Sequence, residues 1–468
     1  GKVIRGYVKD KLSDERIPFA SVSFKQAGTG RLTDSSGAFA LRLEQWPNDT
    51  LVVTYVGYQD LLVPVNPEMA GRLSADNGQS IDLVLQLVRG KMAAEVVVKR
   101  KIDRGYLMWK RIVKKKPEND RYRFSAFKYE LYNKLELDLN RLKKEKLKDF
   151  SLLKPFGFIL DNMDTTEGQP FLPVYLTETI SDYYFQKSPR RTREIIKAVK
   201  TIGINNESIS KLLGGTEQNV NVYANFIPVF DKQFVSPISD NGDAYYHYKV
   251  LDSQFVAGKR LIHMAFSPKR KGENTFEGDC WVHDTTWAIQ KITLALSREA
   301  NINFVDKLSL IQEYRQLDDS TWFLSKDKFV VDIAPIGKSA FGVIGRKTTT
   351  YRNIIVNDPA IRDTIAKNKM QSEIVFAQGA MAKADSYWSG SRHEDLSKNE
   401  AAIYAMIDTL QKMPLFKKYV TTINFLATGY RNVGNFEIGP WYNWFTGNSW
   451  EGFRMRFDLG TNPGFHKN

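Results

Sequence analysis

Five histidines could do metal or acid–base chemistry: His247, His263, His283, His393 and His466. Zinc-peptidase chemistry needs two histidines and a carboxylate converging on one ion, with water at an open position. No His-Glu-x-x-His string occurs, and His393-Glu394 is followed by Ser397 where the second histidine would stand. Gly337-Lys338-Ser339 has the ending of a phosphate loop, but Asp332 occupies the place of its first glycine. A Gly-x-Ser-x-Gly nucleophile elbow is missing. The carboxylates Asp318-Asp319, and Asp161 with Asp164, sit in turn-like contexts and read as solvated turn residues. The one cysteine, Cys280, lies in a strand-like run and reads as a small buried hydrophobe; alone it makes no intrachain disulfide. No catalytic, cofactor-binding or metal-binding residue is assigned, and no cofactor is expected.

Charge is the next signal. There are 67 Lys and Arg against 53 Asp and Glu, for a net charge of +14. Much of it gathers in Lys99, Arg100, Lys101, Lys110, Arg111, Lys114, Lys115 and Lys116. Leu107, Met108, Ile112 and Val113 recur there at helical spacing, which predicts an amphipathic helix ending at Pro117. The segment reads either as a solvated linker helix packed by its apolar stripe or as a surface for acidic lipid headgroups or an acidic partner. A nucleic-acid partner is not expected, since neither an aromatic single-strand platform nor a helix-turn-helix pattern accompanies it. No apolar run approaches the roughly 18 residues of a spanning helix. The chain opens on a strand pattern with no signal peptide, as a mature secreted protein or a cytosolic one would.

These residues sit on elements that read as mainly β with a few helices. Residues 1–90 alternate as short strands with turns every eight to twelve residues, the pattern of a β-sandwich. Residues 91–118 are the basic linker helix. Residues 119–360 form a middle α+β domain: a long strand from Phe127 to Asp138, a charged helix from Leu139 to Phe150, a strand from Val174 to Ile180 and a short helix from Glu194 to Thr201. An antiparallel meander of about six strands follows, from Leu261 to Val356. Residues 361–430 are a connector whose capping box at Ser397-Lys398-Asn399-Glu400 starts an amphipathic helix. Residues 431–468 hold a hairpin.

That last segment alternates with period two: Phe453, Met455, Phe457 and Leu459 are apolar, and Arg454, Arg456 and Asp458 between them are charged. Trp441, Trp444 and Trp450 cluster at the preceding turn. A transmembrane β-strand with an interfacial aromatic belt reads this way, and so does a soluble hairpin with aromatic cross-strand pairs. These seven apolar and aromatic residues are the membrane-contact candidates. With nine residues after Leu459 no barrel closes, so the reading is the first hairpin of a truncated outer-membrane β-barrel.

Ile17-Pro18-Phe19-Ala20-Ser21-Val22, Thr33-Asp34-Ser35-Ser36-Gly37-Ala38-Phe39 and Tyr55-Val56-Gly57-Tyr58 resemble the carboxypeptidase-regulatory-like, transthyretin-type domain. That name implies no peptidase activity here. Asn221-Val222-Tyr223-Ala224-Asn225-Phe226, Phe234 to Gly242, Phe266 to Arg270, Phe276 to Val282 and Ala300 to Val305 extend the likeness. Together the chain resembles a family of Gram-negative, Bacteroidota-type outer-membrane proteins of unknown function, built as regulatory-like domain, middle domain and C-terminal barrel. Trp281, the turn at His283-Asp284-Thr285 and Ala288 to Ile292 also resemble periplasmic lipoprotein carriers, which fold as a half-barrel sheet. The resemblance implies the cell outer membrane, with residues 1–430 periplasmic. The reading is a non-enzymatic protein whose periplasmic domains bind a partner, peptide or lipid in envelope transport or assembly; outer-membrane lipid and an envelope protein are its partners. Its rivals are a metallopeptidase-like enzyme with a site assembled from distant residues, and a soluble structural or adhesion protein.

Overall fold

A computed structural model describes residues 2–90, 103–140, 171–203, 220–333, 342–396, 404, 425, 429–448 and 452–461, apart from short breaks at 28–29, 35, 74–78, 231, 257, 298–299, 301, 303–304 and 319–320. The first strands are β1 Lys2–Asp10, β2 Ser21–Phe24, β3 Gly30–Leu32, β4 Ala38–Leu43, β5 Asp49–Thr54, β6 Leu61–Val65 and β7 Ser80–Leu87, with α1 Pro67–Leu73 before β7. They form sheets β4-β1-β7 and β3-β2-β5-β6. One core joins them: Ile4, Val8, Phe39, Leu41 and Leu85 from the first sheet meet Val22, Phe24, Leu51, Val53 and Val65 from the second. The expected sandwich is present because each strand alternates, leaving one face of each sheet apolar.

Helix α2 spans Arg104–Asn119, and the Asp103 carboxylate caps it by accepting the Tyr106 N–H at 3.0 Å. Its buried stripe is Met108, Trp109 and Ile112. The helix runs two residues past Pro117, which lies in the last turn, where a missing N–H forfeits a single hydrogen bond.

The middle strands are β8 Ala126–Asn140, β9 Phe171–Gln186, β10 Arg191–Gly203, β11 Phe226–Val229, β12 Lys232–Val235, β13 Tyr246–Val256, β14 Lys259–Pro268, β15 Phe276–His283, β16 Ile289–Leu296, β17 Val305–Gln316, β18 Trp322–Ile333, β19 Gly342–Val356 and β20 Ser372–Phe376. All but the β11–β12 pair join one eleven-stranded sheet, in the order β13-β14-β15-β16-β17-β18-β19-β8-β9-β10-β20. The meander was legible as six strands; β8, β9, β10, β13 and β20 extend it, with β19 pairing along β8 from Gly342↔Asn140 to Val356↔Phe127. The helix expected over Glu194–Thr201 is strand β10. Its β-branched residues, Thr192, Ile195, Ile196, Val199, Thr201 and Ile202, favour extended backbone, and it pairs with β9 throughout. Of the helix expected over Leu139–Phe150, Leu139 belongs to β8 and residues 141–150 lie outside the described residues. The capping box at Ser397 lies outside them too.

Register assigns each side chain to a face. Tyr129, Leu131, Gln312, Tyr314, Asp327, Phe329, Val331 and Tyr351 belong with the core that contains α2. Glu130, Trp281, Lys291, Glu313, Lys326 and Lys328 alternate to the opposite face. That second face receives the sandwich, α3 Pro359–Ile365 and α4 Asp385–Ser391, whose Trp388 packs on Tyr132, Ile180 and Ala198. The remaining strands are β21 Arg431–Val433, β22 Phe436–Ile438, β23 Phe445–Asn448, β24 Gly452–Met455 and β25 Leu459–Thr461. β23 and β24 pair with Phe445 opposite Met455, but the single strand expected from Gly452 to Leu459 is broken: β24 ends at Met455, and Leu459 opens β25, which pairs with β22 in a separate sheet.

Candidate binding site

The helix-covered face carries an unusual buried charge. Arg121 opens the 3-10 turn that follows α2. Asp120 fixes that turn by accepting the Tyr122 N–H at 3.0 Å and the Asn221 side-chain amide at 3.2 and 3.1 Å. The turn drives Arg121 inward until it is 6% exposed. Among the described residues none of its three guanidinium nitrogens has a hydrogen-bond partner. It lies over the Tyr122 ring, 5.2 Å from the centroid. Tyr129, Tyr351 and Tyr314 are within electrostatic reach. The Tyr351 hydroxyl also approaches Arg121, without reaching good hydrogen-bond geometry. Burial holds the phenols of Tyr129, Tyr314 and Tyr351 well above their ordinary range, so they remain protonated.

Beside it stands a polar relay. Gln312 is fully buried; its amide donates to the Val220 carbonyl at 2.8 Å and to Asp327 at 3.1 Å, and its oxygen accepts from Tyr314 at 2.9 Å. Burial pushes the Asp327 carboxyl up to about 6, against the opposing pull of Gln312, Lys347 and Arg121. Burial pushes the Lys347 ammonium down, opposed by Asp327 and Glu194. Toward β9 and β10 the same face is hydroxyl-rich: Thr349 donates to Asn133 at 2.5 Å, and Ser181 to Glu194 at 2.6 Å. This arrangement gathers a buried cation and protonated phenols, groups that can receive an anion.

The opposite face holds domains together. The motif Tyr55-Val56-Gly57-Tyr58 docks the sandwich onto the sheet: Tyr55 donates to Glu313 at 2.6 Å, and Val56 packs with Val256, Leu261 and Trp281. Gly57 has φ +80 and faces Lys291 Nζ and Trp281 Nε1, 3.7 and 3.8 Å from where a Cβ would stand. Burial alone would raise the Glu313 carboxyl, but Lys291 and Lys326 outweigh it and hold it low. Lys328 pairs with Glu15 at 2.9 Å, and Lys326 with Glu394 at 3.0 Å.

The structure separates the residues singled out from sequence. Lys99, Arg100, Lys101, Trp450 and His466 lie outside the described residues. Lys110, Arg111 and Lys114 are exposed on α2, with Arg111 over the Trp287 ring at 4.9 Å. Lys115 pairs with Glu118 at 2.7 Å, and Lys116 bridges Asn225 at 2.6 Å and Asp240 at 2.9 Å, so it pins the loop after Asn221 rather than facing solvent alone. Phe453, Met455, Phe457 and Leu459 are exposed, while Trp441 and Trp444 are half-buried, Trp444 against Phe457.

Four histidines stand apart. His263 stacks on Trp281 at 4.1 Å, His283 caps a turn through Thr286, His393 is buried between Thr350 and Glu130, and His247 is exposed. Among the described residues no group of three His, Cys, Asp or Glu is placed to hold a metal ion. Cys280 is buried, and burial pushes its thiol up, as befits an inert core side chain. Arg121, Gln312 and Asp327 escaped the sequence reading. One signal was available: Asp327 shares strand parity with Phe329, Val331 and Ile333, and so is a charge on an apolar face.

A CarboxypepD_reg-like domain matches residues 4–98. No curated protein matches the chain. Among solved structures, a domain from Vibrio parahaemolyticus named for outer membrane lipoprotein sorting shares 11% identity, covering 56% of this chain and 98% of that one, with a TM-score of 0.23. A DUF1329 family protein from Desulfovibrio piger shares 11% identity, covering 55% and 95%, with a TM-score of 0.22. A LolA superfamily protein from Nitrosomonas europaea shares 8%, covering 53% and 93%, with a TM-score of 0.20. These likenesses are too slight to carry an argument. The match that spans more than half of the chain, residues 109–354, is to a family of unknown function, DUF5686, and to that family this protein belongs.

Proposed function

We propose that this protein is a non-enzymatic component of a Gram-negative cell envelope. Its folded body binds a partner, peptide or lipid, and its C-terminal strands contact the outer membrane. The observation that carries this is the exposed apolar set on the last strands. Phe453, Phe457 and Leu459 are 72%, 66% and 70% exposed, and Phe445 and Phe453 stack at 6.1 Å on one side of the β23–β24 hairpin. Phe453 and Met455 on β24, with Arg454 between them, suit a lipid-facing strand whose alternate residues stay wet. The body supplies the binding part, since its helix-covered face buries a cation with no hydrogen-bond partner.

The test is fractionation of the native protein with heat-dependent gel mobility as readout. Extraction that needs detergent, together with a mobility shift on heating, supports the reading. Release by carbonate without detergent and an unshifted band would remove the outer-membrane part and leave a soluble envelope or surface protein.

A further inference from the structure

Two acceptors near Arg121 are already engaged. Asp120 takes the Tyr122 N–H and the Asn221 amide, and Gln312 takes the Tyr314 hydroxyl. Asp327 takes the Gln312 amide and acts on Arg121 only as a neighbouring charge. A guanidinium carries five N–H donors in a planar fork that fits two oxygens of one oxyanion. Leaving all of them unmade away from water is unfavourable, and a tyrosine face replaces only part of what is lost. The groups that face Arg121 include the rings and phenols of Tyr122, Tyr129, Tyr314 and Tyr351. A cationic guest is opposed by Arg121, and a neutral one leaves the fork unfilled.

We propose that Arg121 anchors a buried oxyanion site, in which the guanidinium takes a carboxylate or phosphate group in a two-pronged contact and Tyr351 supports it. This deepens the binding half of the proposed function and is independent of the membrane half. The oxyanion has two sources, a free ion or the head of a single-chain amphiphile. Phe127 and Phe323 of the apolar core pack against the Tyr122 and Tyr129 rings beside Arg121, which favours the second.

The experiment is calorimetric titration of the whole chain with inorganic phosphate, dodecyl phosphate, dodecanoate and dodecanol, each below its critical micelle concentration. Dodecyl phosphate and dodecanoate are expected to bind, dodecanol at least tenfold more weakly. Equal binding of inorganic phosphate would assign the site to the free ion. Arg121→Gln should weaken the anionic probes at least tenfold, Arg121→Lys less, and Tyr351→Phe severalfold. Should Arg121→Gln fail to fold, amide exchange of the wild-type chain decides: dodecyl phosphate is expected to protect residues 121–123. Anionic probes that bind the Arg121→Gln variant as tightly as wild type, or that leave 121–123 unprotected, overturn the site but keep the body's binding role. No binding by any probe overturns both, and fractionation reports the membrane half separately.

Discussion

Replacing Arg392 tests the account of how the connector is held. Glu178 is completely buried on β9. Arg392 Nε and Nη2 donate to its two oxygens at 2.7 and 2.8 Å, and the Tyr132 and Tyr404 hydroxyls donate as well. Arg392→Met keeps much of the side-chain volume but removes the cation. The carboxylate is then left with two phenols in a dry site. Truncating one partner of a buried pair costs about 3–5 kcal/mol, because the survivor stays charged and desolvated. The Arg392 side chain is 12% exposed, so water can follow the loss and the lower end of that range is expected. The Glu178→Leu, Arg392→Met double variant removes both charges and should lose less than the sum of the singles, by about 2 kcal/mol. Urea unfolding measures the total. Amide exchange over 385–395 shows whether the loss is a local release of the connector. An Arg392→Met change below about 1 kcal/mol, or strictly additive variants, would refute the reasoning.

Further consequences follow from the same geometry. The Asp327 carboxyl, raised to about 6 by burial, holds more protons in the folded than in the unfolded chain, so its contribution to stability falls as pH rises from about 4 to 6. Asp327→Asn should flatten that slope and stabilise the chain at pH 7 by at most ~3 kcal/mol, checked by urea midpoints across pH; an unchanged slope counts against it. Gly105→Ala places a Cβ 2.2 Å from the Tyr248 carbonyl oxygen, against sheet backbone that cannot turn aside. Overpacking of about 1–3 kcal/mol then outweighs a helix gain of about 1 kcal/mol, and thermal melts should show net loss. Phe453→Ser with Phe457→Ser should cut vesicle flotation at least tenfold, since each exposed ring offers about 2 kcal/mol of burial; unchanged flotation would place the contact elsewhere.

Legibility in the sequence followed the range of the interactions. The sandwich was readable because its strands alternate and its turns are local, and the Tyr55-Val56-Gly57-Tyr58 string proved to be its docking surface on the sheet. The strands from β14 to β19 were readable because each pairs with its chain neighbour. The junction of β19 with β8 joins Tyr351 to Leu131 across more than two hundred residues, and nothing in a single chain marks such a pairing. Strand β10 was missed for another reason. Ile195 and Val199 also fit helical spacing, and only pairing with both β9 and β20 decides the matter. Arg121 was hidden because one turn, set by Asp120 and Asn221, decides whether that side chain points to water or into the core.

The two faces of the sheet use charge differently. On the sandwich-bearing face several cations have carboxylate partners: Lys328 with Glu15, Lys326 with Glu394, Lys291 with Glu313, Arg392 with Glu178, and Lys197 with Asp182 and Glu130, while Arg315 lies over the Phe19 ring with its Nε unpartnered among the described residues. His393 and Lys197 together hold the Glu130 carboxyl down to about 2. Such pairing joins elements distant in sequence and fixes domain placement; removing either partner loosens a joint. On the helix-covered face, Arg121 makes no hydrogen bond or ion pair among the described residues. It bridges no two elements by a hydrogen bond, and an apolar side chain of its size would fill the same space without the desolvation cost. A buried charge that does no assembly work is better explained by a guest than by the fold. The sandwich-bearing face therefore joins elements distant in sequence, and under the oxyanion proposal the helix-covered face is where a ligand is to be sought.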